Sequence, residues 1–378
     1  MKTVTLSIAA ILLVAMSANA APELSREPTR EPTTEQKIDA LIKEVEELKA
    51  QTRGGDSLPQ HVSIGGYGEL HYNDLKSKNE IDLHRFVLFF GYRFTDKIRF
   101  VSEFELEHAL AGEGKKGEVE IEQAYIDFDL IANHTARGGL FLVPVGILNE
   151  THEPPTFYGV ERNPIETNII PTTWWEGGAA LHGQIVPGLA YDVAFTSGLG
   201  VPTTGANAFL VRSGRQKVSE AKANDPAYTA RVKWTAVQGL ELAASVQYQQ
   251  DVTQSALLDS VRGILSETHV IVTHGPFAVR ALYARWDLDG DAPKAVGRDE
   301  QVGWYIEPAY RILPSFGVFV RYNEWDNEAG DAVASKKKQT SVGVNYWPHE
   351  QIAIKFDVQD QRGAINDDGF NIGIGFMF

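Results

Sequence analysis

Cysteine is missing from all 378 residues, which excludes a disulfide framework and the acylated cysteine of a lipoprotein. Beyond the first twenty residues no run of 18 apolar residues occurs, so helices that cross a bilayer are excluded. Basic residues are outnumbered, 35 Lys+Arg against 50 Asp+Glu, and a general nucleic-acid binder needs the opposite balance. Catalytic signatures are also missing. GEGKKGE (112–118) lacks the spacing of a phosphate-binding loop, no H-x-x-x-H pattern occurs, and ten dispersed histidines assemble no Ser–His–acid site from spacing. DLDGDAP (287–293) lacks the twelve-position calcium pattern and reads as an exposed acidic loop. No catalytic residue, cofactor or metal ligand is therefore assigned.

What is present begins with MKTVTLSIAAILLVAMSANA (1–20), which has one lysine, an apolar stretch from Leu6 to Met16 and an A-x-A arrangement at Ala18 and Ala20. This is the layout of a secretory signal peptide cleaved after Ala20. Loss of Lys2 leaves 34 Lys+Arg against 50 Asp+Glu, a formal charge of −16. Residues 21–33, rich in Pro, Glu, Thr and Arg, read as a flexible spacer. The segment 34–52 places Ile38, Leu41, Val45 and Leu48 on one stripe, which predicts a short amphipathic or coiled-coil helix that must pack against something. Residues 53–60 form a linker with turn formers.

From residue 61 the period becomes two. In QIAIKFDVQDQ, Ile352, Ile354, Phe356 and Val358 oppose Lys355, Asp357, Gln359 and Gln361; VSIGGYGEL and LELAASVQYQQ alternate in the same way. Such strands meet two chemically different environments. Tight connections at 95–97, 186–188, 237–239, 274–276, 313–315 and 347–350 alternate with longer polar ones. Short turns on one rim and long loops on the other are the layout of a membrane barrel. The breaks predict sixteen strands, the fifth at 138–147, with 265–287 the most weakly patterned stretch. The expected fold is all-β: a 16-stranded antiparallel transmembrane β-barrel over 61–378, preceded by a short N-terminal periplasmic α-helix. A large secreted sandwich or β-helix is the soluble alternative, but sixteen strands in one closed sheet enclose more space than wall side chains fill. Water is then expected to occupy much of the middle. In the last strand, Phe370, Ile372, Ile374, Phe376 and Phe378 should face lipid, and Asn371, Gly373, Gly375 and Met377 the lumen. Trp234, Trp286, Trp325 and Trp347, near strand ends, fit interfacial girdles.

GGYGELHYN (65–73), EQAYIDFDL (122–130), VPVG (143–146), GVERNPIETNIIPTTWWEGGAALHG (159–183) and the terminal phenylalanine together resemble Gram-negative outer-membrane porins, most closely the phosphate-selective porin superfamily. The resemblance implies a sixteen-stranded channel in the outer membrane, commonly a homotrimer, with a third loop that folds inward. It also implies that Phe378 is read by the barrel-assembly machinery. Outer-membrane lipid and small hydrophilic solutes or ions are the expected partners, and nucleic acid is not.

The connection after the fifth strand is the candidate constriction loop (148–176), stiffened by Pro154, Pro155, Pro164 and Pro171. Folded inward, its Glu150, Glu153, Glu161 and Glu166 would favour cations, with Arg162 and His152 supplying a transverse field or local pairing. An extracellular lid and a part in subunit packing are the alternatives for this loop. Phosphate-selective porins place basic residues along the pore. Arg85, Arg93, Arg99, Arg231, Lys233, Arg321 and Lys355 have the parity of a lumen wall here, with Glu103, Glu105, Glu107 and Asp357 beside them. The acidic set weighs against phosphate selectivity, and the bland reading of any one wall charge is a solvated inner face. The expected function is passive diffusion of small hydrophilic solutes or ions, phosphate among the candidates. The alternatives are an outer-membrane hydrolase on a barrel scaffold and a non-conducting structural or adhesive barrel.

Overall fold

The computed structural model describes residues 61–255, 259–331 and 335–378; the expected leader, spacer, helix and linker lie outside the described residues. Sixteen strands follow one another: β1 (Val62–Leu75), β2 (Asn79–Thr95), β3 (Ile98–Glu107), β4 (Val119–Ile131), β5 (His134–Leu142), β6 (Trp175–Val186), β7 (Leu189–Thr196) and β8 (Ala227–Trp234) make the first half. The second half is β9 (Leu240–Gln249), β10 (Arg262–His274), β11 (Phe277–Asp289), β12 (Glu300–Leu313), β13 (Phe316–Asp326), β14 (Lys337–His349), β15 (Ile352–Gly363) and β16 (Gly369–Met377). Two one-turn helices, α1 (Pro164–Asn168) and α2 (Asp291–Ala295), lie in connections.

Each strand pairs antiparallel with its chain neighbours, and β1 pairs with β16, so the sheet is a closed barrel. The closing register runs from Tyr67 opposite Met377 to Leu75 opposite Gly369. Beyond it the Gly66 amide donates to the Phe378 carbonyl at 3.0 Å, and the Phe378 amide donates back to Gly66 at 2.9 Å. The last residue is thus stitched into the wall, and no open edge exposes backbone groups to hydrocarbon.

Connections 96–97, 132–133, 187–188, 235–239, 275–276, 314–315 and 350–351 share the rim on which β1 begins and β16 ends. The long connections, among them 108–118, 143–174 and 197–226, occupy the other rim. One boundary differs from expectation. The tight turn at 132–133 starts β5 four residues early, helped by Asn133 at φ 66°, a conformation that asparagine tolerates. VPVG (143–146) consequently leaves the wall, where the Val143 amide donates to the Trp174 carbonyl at 3.0 Å and ties the two ends of the segment together.

The outer face is apolar along its length: Ile64, Phe90, Val193, Val232, Val246, Val342, Ile354, Val358, Ile372 and Ile374 are all exposed. Outward aromatics cluster toward both rims, with Tyr92, Phe94, Phe277 and Tyr310 near the short turns and Phe195, Tyr228, Tyr248 and Trp304 near the long loops. These form the girdles. Three of the four tryptophans expected there point inward instead. Trp286, Trp325 and Trp347 are 0%, 4% and 7% exposed, because the lumen offers them something apolar to pack on.

That something is the segment 143–174 together with 197–226. Ile165, Ile169, Ile170 and Trp174 from the first, and Leu199, Phe209 and Val211 from the second, pack on Leu265, Leu282, Trp286, Leu288 and Trp325 of β10–β13 in one buried cluster. Trp174 and Trp286 lie 6.2 Å apart between ring centroids, and the Trp286 indole donates to the Ile169 carbonyl at 3.0 Å. Each fully buried large side chain contributes about 1.5–3 kcal/mol. The expectation of water through much of the middle is therefore corrected: one side of the lumen is a dry core.

At β16 the segment crosses so close to the wall that side chains are excluded. A Cβ on Gly375 would sit 2.2 Å from the Cβ of Pro154, and one on Gly373 would sit 2.9 Å from Val160. Gly375→Val should therefore push the segment off β16. The expected result is a lower unfolding midpoint and a larger single-channel conductance of the purified protein; an unchanged conductance would contradict this packing.

Candidate functional site

Residues 143–174 cannot span the lumen as free chain, and their local chemistry shows how they are held. Pro154 and Pro155 open a one-turn 3-10 helix. Asn163 caps α1, its side-chain oxygen accepting from the Glu166 amide at 2.9 Å, with Pro164 at the first helical position. Wall charges then clamp the tip. Arg321 on β13 donates to the carbonyls of Tyr158 and Glu161, Lys355 on β15 donates to Gly159 at 2.8 Å, and the Val160 amide donates to Asp357 at 2.7 Å. Lys355 also sits over the Phe157 ring, 3.6 Å from its centroid.

Several residues marked as wall charges are thus anchors. Arg321 also pairs with Glu307 at 3.1 Å. Arg231 pairs with Asp192 at 2.8 Å and with Glu150, which locks that glutamate to the wall. Near the short-turn rim, Arg99 contacts Asp127 and Asp129, Lys233 lies 3.6 Å from Glu241, and Arg93 is exposed opposite Arg99. Arg85 is buried between Glu69 (2.8 Å) and Glu105 (3.2 Å). Glu103 accepts from Gln123 at 2.6 Å, and Glu107 lines the cavity described below.

The loop glutamates are equally engaged. Glu166 is fully buried and accepts from the amides of Ile147 (2.7 Å) and Leu148 (2.5 Å), from Asn163 (2.9 Å) and from the Tyr305 hydroxyl (3.0 Å). Burial pushes its carboxyl upward against the pull of these four donors. Glu161 lies 3.3 Å from His71 and 2.9 Å from the Asn73 amide. Burial alone would raise its carboxyl, but the contact with His71, helped by His84 and Lys78, holds it well below the usual range. Glu153 is half-buried at the start of the 3-10 turn, and His152 is buried under the segment against β3 and β4.

Between this segment, the 197–226 connection and β1–β4 lies a polar cavity of about 490 Å³. Its two sides carry opposite charge. Glu107, Glu118, Glu120 and Glu122 line one; Arg162, Arg212 and Arg215 line the other, with Lys217 bridging to Glu118 and Glu120. The three arginines have no carboxylate within ion-pair distance among the described residues. They are held instead by oxygens of the inward segment: Arg162 donates to the Thr173 hydroxyl at 2.7 Å, Arg215 to the Thr173 carbonyl at 2.6 Å, and Arg212 to the carbonyls of Thr167 and Thr172. Nε and Nη2 of Arg162 and Nε of Arg215 are buried with no acceptor. Burial lowers the pKa of Arg212 and Arg215, and for Arg212 the neighbouring Arg215 guanidinium lowers it further. Guanidinium nonetheless stays charged at any working pH, so this side holds concentrated, under-solvated positive charge that an anion would relieve.

Sequence reasoning missed Arg212, Arg215 and Lys217. The signal was the run VRSGRQK (211–217) inside a long connection, three basic residues and a glutamine among three apolar or small ones. Parity reasoning looks only at strands, so it passed over this loop.

A closed sixteen-stranded barrel with an apolar outer belt, an inward segment and a charged cavity fits an outer-membrane channel for small solutes. The profile of the family described as phosphate-selective porin O and P matches residues 61–364, and the chain belongs to that family. It is 32% identical over 359 residues to an uncharacterized protein of Aquifex aeolicus (strain VF5), covering 84% of this chain and 80% of the other. Among solved structures it is similar to the outer membrane channel DcaP of Acinetobacter baumannii (TM-score 0.59, 16% identity, 84% of this chain and 97% of that one). It is also similar to the anion-selective porin from Comamonas acidovorans (TM-score 0.59, 11% identity, 84% and 99%).

Glu166→Ala would leave two buried amides and the Tyr305 hydroxyl without acceptors, at about 1–3 kcal/mol for each unsatisfied group. The expected outcome is a loss of about 3 kcal/mol or more in urea unfolding followed by tryptophan fluorescence, together with new protease cleavage between residues 147 and 172. Unchanged stability would remove Glu166 as the organiser of the segment.

Proposed function

We propose that this outer-membrane channel preferentially passes small anions, phosphate foremost, and that the segment 143–174 forms the constriction. The observation that carries the reading is the trio Arg162, Arg212 and Arg215. Among the described residues their charge meets no carboxylate at contact distance, and three of their nitrogens are buried without an acceptor. A tetrahedral oxyanion with several acceptor oxygens satisfies such donors, and Arg suits phosphate better than any other side chain. Three of the four glutamates of the inward segment, which would have favoured cations, are engaged: Glu150 by Arg231, Glu161 by His71 and Glu166 by backbone amides. Across the cavity Glu107, Glu118, Glu120 and Glu122 set up a transverse field that separates the paths of anions and cations. The family description supports phosphate; the homotrimer and recognition of Phe378 by the barrel-assembly machinery extend the same reading.

The test is chloride current through purified protein in a planar bilayer, titrated with inorganic phosphate. Phosphate should inhibit the current saturably, and Arg162→Ala, Arg212→Ala and Arg215→Ala should each weaken inhibition about 10- to 100-fold, the worth of one hydrogen bond to a charged group. A current that phosphate does not touch would overturn the phosphate reading. Absence of any current would favour the structural or adhesive barrel.

A further inference from the structure

Beneath the start of the inward segment lies a second cluster that the anion reading does not use. Glu103 on β3, Glu122 on β4 and His152 on the segment are 1%, 1% and 3% exposed. One ligand atom from each lies within 4.8 Å of the other two. Pairing between β3 and β4 slips after Glu103, which faces Gln123 while Phe104 faces Ile121, so Glu122 is the unpaired extra residue of a bulge. Bulges re-aim side chains. This one turns Glu122 toward the interior beside Glu103.

The histidine is oriented as a ligand. Its Nδ1 lies 3.2 Å from the Asn149 carbonyl, an oxygen that only accepts, so Nδ1 carries a proton and Nε2 is the ring atom turned to the two carboxylates, where a metal ion would take the place of a second proton. The ring is held edge-on against Tyr67, 5.8 Å between centroids. Nε2 makes no hydrogen bond, and neither does Glu122 Oε2. Each carboxylate oxygen stands 3.6 Å from Nε2, too far for a hydrogen bond. At metal–ligand distances of about 2.1 Å, a 3.6 Å separation subtends roughly 118°, close to tetrahedral or trigonal geometry. The remaining Glu103 oxygen accepts from Gln123, an outer-shell contact of the kind that fixes metal ligands. With the Nε2 proton displaced by the ion, two carboxylates and an imidazole sum to two negative charges, and Glu122 also lines the cavity, which gives an ion a way in.

The cluster at the long-loop rim, Asp82, His84 and His108, satisfies the same distance limit but not the same chemistry. Arg85 donates to His84 Nε2 at 2.8 Å, so the His84 proton sits on Nδ1, the atom facing Asp82. That ring has no lone pair to offer the cluster.

We propose that Glu103, Glu122 and His152 bind one first-row divalent cation, of Zn²⁺-like chemistry, which pins the start of the inward segment to the β3–β4 wall. Imidazole with carboxylates suits zinc and its neighbours. The site depends neither on the arginine trio nor on phosphate.

The test uses full-length protein, purified in detergent, stripped with EDTA and titrated with ZnCl2 by calorimetry, with metal content checked after desalting. One Zn²⁺ per chain is expected, with at least a tenfold loss of affinity in His152→Gln and in Glu122→Gln, while Asp82→Asn binds as the parent does. Bound Zn²⁺ should also slow proteolysis within 147–172. Should both site variants misfold, a zinc-edge anomalous peak between the three ligand atoms of the parent protein supports the site. No binding at millimolar Zn²⁺, a peak elsewhere, or affinity lost in Asp82→Asn but kept in folded His152→Gln would each overturn it.

Discussion

Inside hydrocarbon a backbone amide finds no water, and every other feature of this protein follows from that. A sheet in lipid has to close, and here closure is carried to the last residue, where Phe378 exchanges both hydrogen bonds with Gly66. Once the sheet is sealed, alternate side chains must divide between two environments, because the pleat has period two. The outer set is the row of exposed Ile, Val, Phe and Tyr. The inner set is free to vary, and its variation is where function resides.

That inner set is divided by position around the barrel. Toward the long-loop rim the inner face of β10–β13 is apolar and packs against two inward connections, while β1–β4 present several carboxylates to a polar cavity. The division explains why a long loop can be both ordered and functional. Its apolar side chains hold it on the dry core, and Arg321 on β13 with Lys355 and Asp357 on β15 clamp its tip. Charged and apolar contacts thus act on different stretches of one segment. The arginines of the passage are placed by carbonyls and a hydroxyl of that segment, so the charge of the site depends on the packing of the core.

The architecture was legible in the sequence because alternation and turn spacing are local properties. Sixteen strands, their direction and the lipid face of the last one could be read from residues two apart. The weak patterning of 265–287 now has a physical meaning. Leu282, Ala284, Trp286 and Leu288 face a dry core while Tyr283 and Val279 face outward, so both faces are apolar over part of the strand and the contrast fades. The same cause misled the assignment of Trp286, Trp325 and Trp347 to the girdles. Within the candidate site, strand parity placed Arg85, Arg321, Lys355 and Asp357 on the inner wall, but nothing local told that the last three grip a loop and that Arg85 pairs within the wall rather than facing a solute. Arg212 and Arg215 were out of reach, since a connection carries no period from which a direction can be deduced. The grouping of Glu103, Glu122 and His152 depends on a bulge and on a loop folding back, neither of which leaves a spacing signature.

The central claim is that the barrel separates three media: lipid outside, a charged passage on one side of the lumen and a dry core on the other. The natural absence of cysteine makes single-cysteine labelling the most direct measurement. In protein reconstituted in lipid vesicles, a charged, membrane-impermeant thiol reagent should modify Glu107→Cys, on the cavity wall, within minutes. It should leave Leu282→Cys, in the core, and Val246→Cys, on the outer face, unmodified. Rapid modification of Leu282→Cys would show a lumen filled with water throughout, and modification of Val246→Cys would show that the outer face does not meet lipid; either result contradicts the account.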